Sequence, residues 1–153
     1  MRIGVISDTH NLFDERIVEI FKGVDYILHG GDVGLPWLIT RLEEIAPVTA
    51  VLGNTDSGIP LRETEIVQLE KWKFLIHHIV NPRAAAHEAI GRRIAREKPD
   101  VVVFGHTHKP FSQTIDGVLY LNPGYAGRTR FNMPRSVAIL ECGKNLEVEF
   151  KEL

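Results

Sequence analysis

Short apolar runs separated by segments with helical spacing are the feature that most constrains this chain. Residues 3–6, 26–28 and 48–52 form three such runs. Between them, the apolar residues of 14–22 and 36–45 recur at the spacing of one helix face. This alternation of strand and helix predicts a mixed α/β layered domain.

The second half of the chain is richer in strands. Residues 66–67 and 74–76 predict a hairpin that turns near residues 70–71. Residues 84–97 are rich in helix formers, and the apolar run at 101–104 is typical of a strand buried on both faces. Further strands are predicted at 118–121, 137–140 and 146–150, with a hairpin turn at Asp116 and Gly117.

Composition narrows the class of protein. With 153 residues, 44% of them hydrophobic, the chain can bury the core of one domain, which we expect to span residues 1–153. The net charge of -2, from 18 basic and 20 acidic residues mixed along the chain, argues against long duplex nucleic acid as a partner.

The single cysteine and the N-terminus bear on location. Cys142 cannot form an internal disulfide, and we expect it buried in a strand, as suits a reducing cytoplasm. The N-terminus runs directly into a strand without the features of a signal peptide, and no apolar run approaches membrane-spanning length. We therefore expect a cytoplasmic protein without a membrane partner. The sequence leaves open whether the protein forms a homo-oligomer.

Polar side chains that can bind metals follow the predicted strands. In open α/β sheets ligands bind at the carboxyl ends of strands, so these side chains are expected to converge. Imidazole, carboxylate and amide ligands favour zinc, iron, nickel or manganese-like ions, and the absence of cysteine among them argues against a structural zinc site. The candidates are Asp8, His10, Asp32, Asn54, His77, His78, His106 and His108.

The motifs that contain these residues resemble those of a known family. They are, in order, Asp8-Thr9-His10, Gly31-Asp32, Gly53-Asn54-Thr55-Asp56, His78, Gly105-His106-Thr107-His108 and Asn122-Pro123-Gly124. The ordered set is similar to that of the calcineurin-like metallophosphoesterase superfamily, in its small single-domain bacterial and archaeal phosphodiesterase branch. The resemblance implies an α/β fold, a four-layer α-β-β-α sandwich of two mixed sheets flanked by helices.

The resemblance also implies two divalent metal ions, from among Mn, Ni, Zn, Co and Fe. Asp32 would bridge them, and a metal-bridging hydroxide would attack a small phosphodiester in line. Catalytic roles fall to Asp32, Asn54, Asp56 and His10, and substrate contacts to Asn54 and Arg128. The first ion would take Asp8, His10, Asp32 and His108, and the second Asp32, Asn54, His78 and His106.

One departure from the family pattern concerns the leaving group. Many members carry a histidine after the ligand asparagine, where this chain has Thr55. A threonine hydroxyl is a poor acid near neutral pH, which favours activated or aryl diesters. Asp56 remains, and we expect it to orient His10 or another ligand.

A second departure follows the predicted strand at 74–76. The family usually has one histidine followed by glycine, whereas this chain has His77, His78 and Ile79. Neighbouring side chains in a strand point to opposite faces, so both histidines are not expected to bind one metal. His78 is the favoured ligand.

Weaker candidates have plainer interpretations. His29 is expected to be a hydrogen-bonded structural residue, His87 a solvated helix residue and Asn122 a loop-shaping residue. Arg128 or Arg130 could hold a phosphate oxygen.

The same motifs bear on two other functions. A non-catalytic protein-interaction scaffold is the main alternative, since a branch resembling this family serves in the retromer coat. A scaffold could lose a metal ligand without harm, whereas every expected donor position of this chain is filled by a competent residue. A P-loop or dinucleotide-binding module is disfavoured because its glycine-rich fingerprints are absent.

Overall fold

The computed structural model describes residues 1–84, 88–130 and 132–153. Its ten strands and three helices alternate at first and then give way to strands. In chain order they are β1 (Arg2–Ile6), α1 (Arg16–Ile20), β2 (Tyr26–His29), α2 (Trp37–Glu43), β3 (Val48–Ala50), β4 (Thr64–Leu69), β5 (Trp72–His77), α3 (Ala89–Glu97), β6 (Val101–Val103), β7 (Phe111–Ile115), β8 (Val118–Asn122), β9 (Ser136–Cys142) and β10 (Leu146–Glu152).

The strands form two mixed sheets of five. The first has the order β10-β9-β1-β2-β3, in which β1, β2 and β3 run parallel and the other pairings are antiparallel. The second has the order β4-β5-β6-β8-β7, with β5, β6 and β8 parallel and antiparallel strands at both edges. The carboxyl ends of three parallel strands therefore meet at one edge of each sheet.

Three buried clusters separate four layers. The first fills the space between the sheets, where Ile3 and Val5 of β1 share a core with Phe74 and Val103. The second lies under α1 and α2, against the outer face of the first sheet. The third lies under α3, where Ile90 and Ile94 share a core with residues of the second sheet. The predicted four-layer α-β-β-α sandwich of two mixed sheets is confirmed.

Alternate residues of strand β1 face two different apolar cores. Ile3 and Val5 belong to the core between the sheets, whereas Ile6 belongs to the core under α1. Gly4 lies on that second face, where an added Cβ would stand 3.0 Å from the ring of Phe21. A two-residue period thus sends alternate side chains to the two cores, and the glycine gives the aromatic ring its space.

Most predicted elements are present, with shorter helices. The segment 14–22 is helical only over Arg16–Ile20, and Gly23 follows with a positive φ of 76°, a conformation suited to a helix end. The segment 36–45 is helical over Trp37–Glu43. The last helix begins at Ala89 rather than at residue 84, and residues 85–87, with the prediction for His87, lie outside the described residues.

Two further expectations concern Cys142 and the membrane. Cys142 is buried in β9, where burial raises the pKa of its thiol to about 11. Among the described residues, no helix has the length and apolar character needed to cross a membrane.

Removing the ring of Phe21 should cost much of the stability of the fold. Phe21 is fully buried, so Phe21→Ala leaves a cavity and should lower the free energy of unfolding by about 3–5 kcal/mol. Val18→Ala in the same segment is the matched control, because Val18 is 44% exposed, and its effect should stay within about 0.5 kcal/mol. Urea denaturation followed by circular dichroism measures both, and equal effects would contradict the assignment of Phe21 to the core.

Candidate metal centre

The polar residues that follow the strands come together at one end of the sandwich. The first sheet contributes the loops after β1, β2 and β3, and the second contributes those after β5 and β6. We call the resulting set of side chains the donor cluster. It consists of Asp8, His10, Asp32, Asn54, His78, His106 and His108.

One part of the donor cluster is centred on Asp8. The Oδ1 atom of Asp8 lies 3.1 Å from Nε2 of His108 and 4.0 Å from Nε2 of His10. These three residues offer ligand atoms that all lie within 4.8 Å of one another. This is the spacing of groups that can share one metal ion.

A second part is centred on His78. Its Nε2 atom lies 3.4 Å from Oδ2 of Asp32, 3.9 Å from Oδ1 of Asp8 and 3.1 Å from Oδ1 of Asn54. Nδ1 of His106 lies 2.9 Å from the same asparagine oxygen. The resemblance implied Asp32, Asn54, His78 and His106 for one ion, and the structure brings these four together with Asp8 close by.

Asp32 lies between the two parts. Its Oδ2 atom is 3.7 Å from Nε2 of His10 as well as 3.4 Å from Nε2 of His78. Its other oxygen, Oδ1, accepts a hydrogen bond from the backbone N–H of Thr55. The side chain of Asp32 thus faces both parts, and the bridging role that the resemblance implied stays a prediction.

The carboxylate of Asp8 is held from one side only. Oδ2 accepts hydrogen bonds from the hydroxyl of Ser7, at 2.7 Å, and from the backbone N–H of His106, at 3.1 Å. Oδ1 is buried and, among the described residues, makes no aligned hydrogen bond, and the same holds for Nε2 of His10. Unpaired buried polar atoms are destabilising, and a carboxylate oxygen and an imidazole nitrogen left in this way are suited to binding a cation.

Burial and mutual attraction shift the titration of these groups in different directions. Burial raises the pKa of Asp8 and lowers that of His10. For Asp32, hydrogen bonds from His78 and Thr55 outweigh burial, so its pKa lies well below the usual range. Burial also opposes the charge on His78, but Asp32, the Gly30 carbonyl and Asp8 raise its pKa overall. The carboxylates therefore favour positive charge at this point of the cluster.

Hydrogen bonding defines which nitrogen of His78 faces the cluster. Nδ1 lies 2.7 Å from the backbone oxygen of Gly30, which can only accept, so Nδ1 carries a proton. Nε2 is left to face Asp8 and Asp32. A histidine fixed by a carbonyl in this way is the usual arrangement at a metal ligand.

The backbone of the donor cluster is held in an unusual conformation. Five of its residues have positive φ angles, a region that costs side chains other than glycine roughly 1 kcal/mol or more each. Such strain accumulates where the surrounding structure holds a functional geometry. The residues are Asp8 (54°), His10 (44°), Asp32 (53°), His106 (68°) and His108 (59°).

Two glycines let the loops approach closely. A Cβ added to Gly53 would lie 2.0 Å from Oδ1 of Asp32, and one added to Gly105 would lie 2.0 Å from Oγ of Ser7. The sequence contains both glycines within the motifs, but only the structure shows that they give space to the carboxylates of the cluster.

The structure separates the two adjacent histidines at the end of β5, of which His77 is the last strand residue and His78 the first residue after it. His78 is 2% exposed and faces the donor cluster. His77 instead faces β4. Its Nδ1 atom lies 2.9 Å from the hydroxyl of Thr64, the first residue of β4, and 2.9 Å from the backbone oxygen of Glu63, which precedes that strand. The structure thus brings His78, and not His77, to the other donors.

Two weaker candidates, His29 and Asn122, stabilise the loops that carry the donors. His29 is buried between the hydroxyl of Thr9 and the N–H of Gly31, and burial lowers its pKa to about 3, so it is a neutral structural histidine. Asn122 donates from Nδ2 to the backbone oxygen of Gly105 and to Oγ1 of Thr107, and so shapes the loop that carries His106 and His108.

Asp56 acts on backbone rather than on a histidine. Its carboxylate accepts hydrogen bonds from the N–H groups of Val33, Gly34 and Gly53, at 2.9–3.0 Å. In the described part of the chain, Asp56 makes no hydrogen bond to His10. The expectation that Asp56 orients His10 is therefore wrong. Asp56 instead ties the loop after Asp32 to the loop before Asn54.

Tyr125 is a neighbour of the cluster that sequence reasoning missed. It is fully buried, and its ring centroid lies 4.5 Å from that of His108 and 5.9 Å from that of His10. Its place directly after Asn122-Pro123-Gly124 was the only signal. Arg128 is exposed, whereas the charge of Arg130 is close enough to lower the pKa of His10.

Comparison with known proteins agrees with this geometry. Residues 1–145 match the model of the calcineurin-like phosphoesterase superfamily domain. A probable metallophosphoesterase of Methanothermobacter thermautotrophicus is 35% identical over 159 residues, which cover 97% of this chain and 91% of that protein. The structure of an archaeal phosphodiesterase matches with a TM-score of 0.79 and 27% identity over 100% of both chains.

A more distant match shows the fold alone. Wild-type Vps29 of Entamoeba histolytica, in complex with zinc, matches with a TM-score of 0.78 at 20% identity, over 99% of each chain. An α/β sandwich with carboxylates and imidazoles gathered at its strand ends defines a class of candidate metalloproteins. Within that class the chain belongs to the calcineurin-like phosphoesterase superfamily, a metal-dependent family with small archaeal and bacterial members, so the predicted resemblance is confirmed.

Replacing Asp56 by asparagine should disturb the donor cluster although every residue of the cluster is kept. The amide cannot accept at both of its terminal atoms, so Asp56→Asn turns a donor toward backbone N–H groups. The free energy of unfolding should fall by about 1–3 kcal/mol, and metal affinity by about 10- to 100-fold. Metal titration calorimetry measures the second effect. Asp116→Asn, at an exposed turn, is the control, and unchanged affinity in Asp56→Asn would remove its assigned role.

A methyl group at Gly53 should displace Asp32. Because the added Cβ would overlap Oδ1 and the backbone nitrogen of Asp32, Gly53→Ala should lower metal affinity by at least about tenfold. Gly143→Ala is the matched control, since its Cβ would meet nothing closer than 3.9 Å. Metal content after dialysis, measured by mass spectrometry, compares the two, and equal retention would show that the loop has room.

Proposed function

We propose that the chain is a metal-dependent phosphoesterase that acts on phosphodiesters and holds two divalent ions in the donor cluster. The observation that supports this most strongly is the pair of buried atoms without aligned partners, Oδ1 of Asp8 and Nε2 of His10, which face each other across 4.0 Å. A cation between such atoms would satisfy both.

The donor set fits divalent ions of the manganese-to-zinc range. Oxygen and imidazole nitrogen donors suit these metals, and Cys142 lies in another part of the fold. The cluster contains two carboxylates, from Asp8 and Asp32, against four positive charges from two ions. It would therefore attract a phosphate group. The proposed ligands are Asp8, His10, Asp32 and His108 for the first ion, and Asp32, Asn54, His78 and His106 for the second.

Bound ions would lower the pKa of water toward about 7 and neutralise charge on the phosphoryl oxygens. The side chains of this chain would do the rest. His10 and Asn54 line the site where the phosphoryl group binds, and Arg128 is the proposed cation for one of its outer oxygens. Asp56 is a positioning residue, because its carboxylate reaches the backbone of the loops and not the reacting atoms.

Thr55 favours diesters with good leaving groups. The loop after β3 has a threonine where a histidine could protonate the departing oxygen, and the backbone N–H of Thr55 binds Asp32. Without an imidazole there, a phenolate-like group departs more readily than an alkoxide. Relatives named phosphodiesterases support the preference for diesters.

The protein-interaction scaffold is the alternative. Its support is the fold likeness to Vps29, which at 20% identity concerns the architecture alone. Against it stands the retention of every donor, since a scaffold would be more stable with an apolar lining than with unpaired buried carboxylates. Cytoplasmic location and a homo-oligomer stay predictions.

A matrix of metals and substrates tests the proposal. Purified protein, stripped with chelator and reloaded with Mn, Co, Ni, Zn or Fe, should hydrolyse bis(4-nitrophenyl) phosphate with at least one metal. Asp32→Asn should lose at least about a hundredfold of that activity and part of its bound metal, because the shared carboxylate is gone. Glu149→Gln, on the exposed face of β10, is the control. Stoichiometric metal without hydrolysis of any monoester or diester would favour the scaffold.

A further inference from the structure

A cavity of about 520 Å³ opens directly beside the donor cluster. It shares His106 with the cluster, because this residue lines the cavity while its Nδ1 lies 2.9 Å from Asn54. A larger cavity of about 850 Å³ lies along α3 and shares no residue with the cluster. The smaller cavity is therefore the one that a molecule bound at the cluster would reach.

The lining of this cavity is mainly apolar. Val80 and Phe104 are 4% and 1% exposed and form its interior, and the rings of Phe104 and Phe111 meet edge to face with centroids 6.0 Å apart. Ile79 lies at the mouth and is 45% exposed, and Glu88 and Lys109 add one charge of each sign to the lining. Apolar walls with a few polar groups at the edge are typical of sites for small organic groups.

We propose that this cavity binds an aromatic ester group of the phosphoester whose phosphoryl group lies at the donor cluster. The inference rests on the proposed function and adds the chemistry of the substrate to it. Two observations support it independently. Ring edges and branched aliphatic groups suit a flat aromatic ring, which buries more apolar area than a short alkyl group. Thr55 in place of an acid independently favours aryl esters, whose phenolates leave without a proton.

Ile79 is the residue that adapts the cavity to such a group. It occupies the position directly after His78 where a glycine is usual in the family, and its side chain extends the apolar wall next to the cluster. No positive φ at this position requires glycine, so the isoleucine is tolerated. A bound ring would cover this exposed side chain. We therefore assign Ile79 as a specificity-determining residue.

Two phosphonates that differ only in their organic group test the subsite without hydrolysis. Phenylphosphonate and methylphosphonate present the same head group to the metal-loaded protein, and calorimetry gives both dissociation constants. The wild-type protein should bind phenylphosphonate about tenfold more tightly, since the ring is buried in the cavity. Ile79→Gly should reduce this ratio to about threefold or less, with methylphosphonate binding unchanged, and Ile79→Leu should preserve it.

A second cavity variant and a control separate the subsite from the phosphoryl site. Phe111→Leu keeps an apolar side chain but loses the ring, and it should also reduce the ratio of the two dissociation constants. Val18→Ala, at an exposed residue of α1 outside the cavity, should leave it unchanged. Equal affinities in the wild type, or a ratio unaffected by both cavity variants, would overturn the subsite while hydrolysis persisted. If neither phosphonate bound and no ester were cleaved, the proposed function itself would be wrong.

Discussion

The structure depends on burying the carboxylate of Asp8 with one of its oxygens unsatisfied. The residue is fully buried, Oδ2 accepts two hydrogen bonds, and Oδ1 faces imidazoles without alignment. Removing a carboxylate from water is costly, and in the apolar interior its pKa rises. The hydrogen bond from Ser7 and the attraction of His78 and His108 lower the pKa of Asp8 but offset the effect of burial only in part. A cation held by Asp8, His10 and His108 would give Oδ1 a partner and would accept lone pairs from the imidazole nitrogens. Metal binding and folding stability should therefore be strongly coupled here.

The two sheets each supply half of this arrangement. Asp8, His10, Asp32 and Asn54 follow strands of the first sheet, whereas His78, His106 and His108 follow strands of the second. Hydrogen bonds cross between them, from the N–H of His106 to Asp8 and from Nδ1 of His78 to Gly30. The distance between the halves is set by the apolar core between the sheets, in which Val5 and Val103 share one cluster. A change in that core would shift one half of the cluster against the other, so core packing and ligand geometry cannot vary independently.

Much of this could be predicted from residue order, and the remainder could not for physical reasons. Strand β6 and the convergence of Asp8, Asp32 and His108 follow from apolar runs that end in polar residues. The pairing of β9 with β1 has no local signal, because it depends on a contact between residues over a hundred positions apart. The backbone role of Asp56 was equally hidden, since a carboxylate can accept from N–H groups or from a histidine and only the loop conformation decides. Tyr125 was missed because an apolar ring beside a cluster has no sequence signature of its own.

The two departures from the family pattern lie beside the proposed metal ligands and not at them. Thr55 and Ile79 each follow a proposed ligand, yet neither replaces a donor. Under the proposed function, the donors would decide the class of reaction, because every phosphoester presents an anionic phosphoryl group to the bound ions. The neighbouring residues would then decide which ester reacts: Thr55 supplies no proton to the leaving group, and the apolar side chain of Ile79 would enlarge the contact with an organic substituent. An aromatic ester would meet both conditions at once, because its oxygen leaves as a stabilised anion and its ring would fill the apolar cavity. A short alkyl ester would meet neither. In the proposed function, the two positions therefore narrow the substrate in the same direction.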